Sequence, residues 1–194
     1  MSYSLALATA PASEPITLSE TKAHLKVEHT DDDTLITSLI KAARGYCETY
    51  TRRSFITQTW DLFMDEFPLG SEEPIFIHNP KLQSVTHVKY FDINNTEQTW
   101  AGANYQVDTA TEPGRILPVD GITWPAVKRR MNAVNVRYVA GYGTAADVPQ
   151  EIKQAMLLLI CDWYENREDS SLKNSGASSH AIKSLLHSKR VLVF

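Results

Sequence analysis

Cysteine is nearly absent from this chain, with Cys47 and Cys161 the only two in 194 residues. They form no Cys-x-x-Cys pair, which removes the usual spacing of a structural zinc site or a redox dithiol. Both fall in helical patterns on apolar faces and read as buried free thiols, the state that persists in a reducing compartment. No run approaches the roughly 20 apolar residues of a membrane span, so no membrane association is expected. The opening Met1 to Ala10 ends in Ala8-Thr9-Ala10, a triplet of signal-peptidase type. It lacks a basic n-region and its apolar run is too short, so it reads as an extended arm kept open by Pro11 and Pro15. Positive charge is also short, with 19 Lys and Arg against 23 Asp and Glu and a net charge of −4. That balance argues against a general nucleic-acid binder, though not against a protein that DNA slides past.

The vocabulary of catalysis is missing as well. The six histidines, at 24, 29, 78, 87, 180 and 187, make no His-x-x-x-His pattern, and no Ser–His–acid or Cys–His arrangement stands out. His24 and His29 are five apart and do not share a helical face, so a metal pair is not expected there. Gly141-Tyr142-Gly143 lacks the third glycine and following helix of a dinucleotide fingerprint, and there is no P-loop. Asp31-Asp32-Asp33 reads as an N-cap and acidic first turn favoured by the helix dipole, not as a cation site. Asn94-Asn95-Thr96 is a turn rather than a glycan acceptor. No cofactor, no metal and no enzymatic activity are expected.

What is present is an ordered layout. Helical patterns occupy residues 16–54 and 148–190, and about ninety residues of strand-like sequence lie between them. With 43% hydrophobic and 22% charged residues, the chain is ordinary globular material for one domain or one domain with a large insertion. Thr17 and Glu20 form a capping-box pattern before a short helix. A second helix spans about 31–52, its Leu35, Ile36, Leu39, Ile40, Ala43, Tyr46, Cys47 and Tyr50 forming one broad apolar stripe. From Phe55 the period becomes two, and strands are expected at 56–64, 74–78, 82–91, 97–100, 104–108, 115–117 and 133–140, with turns between. Asp147 is the expected N-cap of a third helix, with Pro149 in its first turn. The apolar stretch from Ala155 to Cys161 makes that helix the most buried.

The fold class is therefore α+β: N- and C-terminal helices (16–54 and 148–168) packed together as a helical body, with an inserted antiparallel β-sheet or small β-sandwich lobe (55–147). Residues 1–15 form the arm. Residues 169–194 are a flexible linker, 169–180, followed by a short helix carrying Ile182, Leu185 and Leu186 and an apolar end. Two surface features invite a partner. Lys128, Arg129 and Arg130 are the best candidates for a phosphate contact, against the plainer reading of an exposed basic loop. Val191, Leu192, Val193 and Phe194 must either pack back onto the chain's own core or dock on another chain, since an apolar end left in water is a liability.

Several segments, in order, resemble phage head–tail connector (adaptor) proteins of long-tailed DNA phages and prophages. They are Ile16-Thr17-Leu18-Ser19-Glu20-Thr21-Lys22-Ala23-His24-Leu25-Lys26-Val27 with Asp31 to Asp33 and Leu35-Ile36, then Ala42 to Arg53, Ile56 to Trp60 and Leu82 to Val85. Tyr105 to Asp108, Gly114-Arg115-Ile116 and Tyr138 to Gly143 follow, and the segment from Val148 to Glu168 is the most distinctive. Each motif is weak and their order is specific. The resemblance implies a homo-oligomeric ring of about twelve subunits, closed by heterologous contacts, stacked beneath the portal protein. DNA would pass through its channel without specific binding, and a downstream neck or tail protein would follow. It implies residence at the virion neck after assembly in the host bacterial cytoplasm. Leu185, Leu186 and Arg190, matching the family's usual close, would dock on the portal together with Val191, Leu192, Val193 and Phe194. On that reading, deleting 180–194 leaves a folded subunit that no longer binds the portal. A different neck or tail-completion protein, or a DNA-packaging accessory using Lys128 to Arg130, is the alternative.

Overall fold

The computed structural model describes residues 3–70, 72–166 and 175–191, the side chains of 175–179 excepted. The mixed α+β class is the one observed. The chain makes two compact units, one from Met1–Pro11 and Thr57–Gly141, the other from Ala12–Ile56 and Tyr142–Phe194.

The second unit is helical. Its first helix, α1 (Leu18–Leu25), starts on the expected capping box: the Thr17 hydroxyl accepts from the Glu20 N–H at 3.1 Å and the Glu20 carboxylate accepts from the Thr17 N–H at 2.7 Å. Those bonds satisfy two of the orphan donors at a helix start and hold the Glu20 carboxyl below its usual range. In α2 (Asp33–Thr51) the broad stripe divides. Ile36, Ile40, Ala43 and Cys47 are buried, while Leu35 and Tyr46 stay exposed. Asp32 holds the N-cap position without capping through its side chain, which instead accepts from the Tyr164 hydroxyl at 2.5 Å; Asp33 pairs with Lys22 at 2.6 Å.

Helix α3 (Gln150–Glu165) begins after Pro149, and here the expected cap is corrected. Asp147 belongs to a preceding 3-10 turn, where its carboxylate accepts from the Thr144 N–H and hydroxyl, both at 2.7 Å. Gly143 before it sits at φ +136°, where an added Cβ would lie 2.6 Å from that carboxylate. The glycine in the Gly141-Tyr142-Gly143 run is thus structural. The last helix, α4 (Ser175–His187), takes up residues 175–180 that were expected to be linker; the rest of that expected linker lies outside the described residues.

Ile36, Ile40, Ala43 and Cys47 of α2 join Ile152, Ala155, Met156, Leu159 and Ile160 of α3 and Ile182 and Leu186 of α4 in one core. Each large aliphatic there contributes roughly 1.5–3 kcal/mol by leaving water. Burial raises the Cys47 thiol to about 12. Cys161 departs from expectation: it is only partly buried and its thiol donates to Glu165 at 3.4 Å.

The other unit is built of β-strands. A five-stranded antiparallel sheet runs β1 (Tyr3–Thr9), β2 (Gln58–Met64), β8 (Val134–Ala140), β4 (Leu82–Phe91), β5 (Glu97–Trp100) across its width. A smaller sheet has β3 (Ile75–Phe76), β7 (Arg115–Pro118) and β6 (Tyr105–Asp108) in that order. The expected arm is therefore largely a strand, β1, paired with β2 from Tyr3 opposite Met64 to Leu7 opposite Trp60. Its uncharged sequence settles on the edge next to a strand it meets only after some fifty intervening residues.

β8 alternates strictly, Val134, Val136, Tyr138 and Ala140 inward and Asn135, Arg137 and Val139 outward, as a strand with one solvated face should. Inward, these residues meet Leu62, Met64 and Val88, and Ile75, Ile77 and Ile116 complete the cluster. Phe67, Trp100, Trp124 and Tyr105 extend it as a stack with ring centroids 4.9–5.3 Å apart. Outward, Arg137 grips Asp61 through two bonds of 2.9 and 2.7 Å, His87 meets Asn135 at 3.0 Å and Lys89 meets Glu97 at 2.8 Å. Gly114 closes the small sheet: its carbonyl accepts from the Ile77 N–H at 2.7 Å, and a Cβ there would lie 2.7 Å from Leu82.

Candidate functional site

The C-terminal segment is the first place a partner was expected, and much of it faces inward. Ile182, Leu186 and Val191 are buried, with Leu186 fully so. Leu185 is half-buried and Arg190 exposed. After α4 the chain is held to the end of α2. The Val191 N–H donates to the Thr51 carbonyl at 3.0 Å, and the Lys189 carbonyl accepts from Arg53 Nε. Lys189 Nζ lies 3.3 Å from Glu151, and the Arg190 guanidinium lies 5.5 Å from the centre of the Tyr50 ring.

The alternatives left open for the apolar end therefore divide. Val191 packs on its own body, while Leu192, Val193 and Phe194 lie outside the described residues. The expectation that removing 180–194 leaves a folded subunit is corrected on physical grounds, because such a cut takes Ile182 and Leu186 out of the helical core and removes the buried Val191. Leu185 and Arg190 remain within reach of a partner.

The second feature is a strip of α2 that periodicity alone could not separate from the core. Leu35, Leu39, Ala42 and Tyr46 recur at i, i+4, i+7 and i+11 and so share one side of the helix. Leu35 and Tyr46 are 36% and 41% exposed, more than a core role allows. Tyr46 meets Trp163 of α3 edge-on, with ring centroids 6.3 Å apart. The signal was in the sequence: the apolar stripe, from Leu35 to Tyr50, is wider than one helix–helix contact needs.

The third feature is the basic loop, which lies just before β8 with Lys128, Arg129 and Arg130 all exposed. The three do not act as one phosphate cradle. Arg130 lies 3.9 Å from the centre of the Phe91 ring and donates to Asn95 at 3.2 Å. Lys128, Arg129 and Arg130 all line one hollow, but they share it with Asp65 and Glu66, two carboxylates that would repel phosphate. The β4–β5 hairpin beside the loop is rigid. The Asp92 carboxylate accepts from the Asn94 and Thr96 N–H groups at 2.9 and 3.0 Å and from Gln98 at 3.0 Å, which keeps its carboxyl below the usual range. Ile93 and Met131, 64% and 80% exposed, are displayed on this end of the β unit.

Nothing in these places assembles a reaction centre. Among the described residues no three His, Cys, Asp or Glu side chains converge as a metal site, and no helix is long and apolar enough to cross a membrane. The hollow on the outer face of the large sheet is lined by Asp61, His87, Lys89, Glu97, Asn135 and Arg137, which bond to one another. Arg137 holds the Asp61 carboxyl below its ordinary range.

Comparison with known proteins gives this a frame. The chain has the fold of a chain in the "Neck of empty GTA particle computed with C6 symmetry", at 21% identity and a TM-score of 0.82 over 98% of this chain and 97% of that one. It has the fold of a chain in the "Virion of native gene transfer agent (GTA) particle", at 19% identity and a TM-score of 0.80 over 98% and 96%. A third chain, from the "Neck of native GTA particle computed with C12 symmetry", gives 22% identity and a TM-score of 0.77 over 98% and 97%. No curated protein sequence matches. The family model described as "Head completion protein" matches residues 14–186, reaching into both units, and the chain belongs to the head completion protein family.

Proposed function

We propose that this protein is a structural, non-enzymatic subunit of a phage neck. Copies of it form a ring of about twelve beneath the portal, closed by heterologous contacts. The observation that carries the reading is the family match over 14–186, joined by likeness over 98% of the chain to neck chains, one from a C12 reconstruction. The part-exposed α2 strip, with Leu35 and Tyr46 36% and 41% exposed, supplies the kind of surface a ring neighbour covers. Leu185, Arg190 and residues 192–194 are the portal-docking elements, and Leu186 and Val191 act by anchoring Leu185 and Arg190 on the helical body. The helical body spans 16–54 and 148–168 and carries the ring, with 55–147 as the β lobe. DNA passes through the channel without specific binding, and a downstream neck or tail protein stacks on the far side. The protein works at the virion neck, after assembly in the host cytoplasm.

Electron microscopy of the protein with its cognate portal tests this: rings with a central hole on the underside of the portal are expected. Leu35→Glu should abolish rings while leaving a folded subunit, because Leu35 is 36% exposed in the first turn of α2. A protein that ignores the portal and binds isolated tail-tube protein instead would replace the connector reading with that of a tail-completion component.

A further inference from the structure

The basic loop and the hairpin beside it form a built knob that the proposed ring does not by itself explain. Lys128 is anchored through its N–H to the Phe91 carbonyl at 2.9 Å, and Arg130 ties the loop to the hairpin through Phe91 and Asn95. Held on that support are two exposed apolar side chains, Ile93 and Met131, and two exposed cations, Lys128 and Arg129, which share a hollow with Asp65 and Glu66 and, with Arg130, outnumber those carboxylates by one. The β unit that carries them otherwise leans acidic. The described residues of Thr57–Gly141 hold the cations Lys81, Lys89, Arg115, Lys128, Arg129, Arg130 and Arg137 against Asp61, Asp65, Glu66, Glu72, Glu73, Asp92, Glu97, Asp108, Glu112 and Asp120. Three of those seven cations sit consecutively in the knob.

A surface of opposite character lies on the helical unit. The α1–α2 corner, 28–33, carries Glu28, Asp31, Asp32 and Asp33. Asp32 is occupied by Tyr164 and Asp33 by Lys22; Glu28 is exposed, and Asp31 is 92% exposed with His29 Nδ1 4.0 Å from its carboxylate, the half-buried Val27 and the exposed Lys26 lying beside them. A head-to-tail ring needs two different, complementary patches on every copy. A cationic knob with an apolar tip and an acidic corner with an apolar flank meet that requirement, and opposite charges also set the register of such a contact.

We propose that Ile93, Met131, Lys128 and Arg129 of one copy dock on the Glu28 and Asp31 corner of a second copy, as a contact between neighbours in the ring. The inference rests on the ring reading, and its test separates the two. Full-length K128E/R129E and full-length E28K/D31K are each assembled on the cognate portal and counted by electron microscopy. Each variant sets like charges face to face, and about a tenfold fall in ring particles is expected. An equimolar mixture restores opposite charges at every contact of an alternating ring and should recover them. I93S/M131S, which changes no charge, should also lose rings.

Either charge variant assembling as well as wild type, or a mixture that stays unassembled, overturns the contact while wild-type rings leave the neck reading intact. Wild type that forms no ring overturns the neck reading itself. Salt-sensitive binding of a DNA duplex that K128E/R129E removes, with ring counts unchanged, would overturn the contact by assigning the loop to nucleic acid.

Discussion

Leu186→Ala tests whether the C-terminal segment is part of the body or a free tail. Leu186 is fully buried, in a cluster with Ile36, Ile40, Met156 and Ile182. Removing its side chain loses the transfer free energy and leaves a cavity among neighbours anchored on three helices. Leu-to-Ala changes at such sites cost about 2–5 kcal/mol. For a unit of roughly 100 residues each kcal/mol lowers the midpoint by about 4–8 °C, so a drop of about 8–40 °C is expected. The neighbouring Leu185 is half-buried, and Leu185→Ala should cost well under about 2 kcal/mol. The assay is thermal unfolding followed by far-ultraviolet circular dichroism, whose helical signal comes from α1 to α4 of this unit. If Leu186→Ala melts alongside Leu185→Ala, the segment is not docked, and the argument against a free tail fails.

Other outcomes follow from the same structure. In native protein a thiol reagent at pH 8 should label Cys161 slowly and Cys47 not at all, because burial holds Cys47 near 12; both should react after denaturation, and two fast native equivalents would contradict the packing. Asp61 carries a depressed carboxyl because Arg137 donates to it. Its stabilising contribution is present above the unfolded value of about 3.9 and is lost as pH falls through the lower folded value. Asp61→Asn should therefore flatten the difference between melts at pH 7 and pH 3, and an unchanged pH profile would dismiss the pair. Gly114→Ala sets a Cβ 2.7 Å from Leu82 and should destabilise by about 1–3 kcal/mol in urea titration.

Much of the fold could be read from local sequence, and the failures share a cause. The capping box at Thr17 and Glu20 and the strands at 82–91 and 97–100 sit where pattern placed them, because caps and alternation are written in neighbouring residues. Asp147 serves the preceding 3-10 turn rather than α3 because Thr144 three residues earlier binds its carboxylate, and α3 starts after Pro149 with no side-chain cap. The arm became β1 because its partner lies far along the chain. At the candidate site, the basic loop was visible but Phe91, Asn95 and Glu66 beside it were not. Likewise, nothing local to Leu186 and Val191 says that a core awaits them.

The chain passes between its two units three times, at Pro11–Ala12, Ile56–Thr57 and Gly141–Tyr142. This interleaving has a consequence for synthesis. As the polypeptide emerges, β1 appears first and must wait for β2. The α1–α2 pair appears next, but α3, whose side chains close its core, is made about a hundred residues later. The β unit can close once β8 is out, while the helical unit stays open until α4 leaves the ribosome. At translation speeds of about 5–20 residues per second, the apolar side of α2 is bare for several seconds in each molecule made. That interval is where a chaperone would act, and where overexpression would first show itself as aggregation.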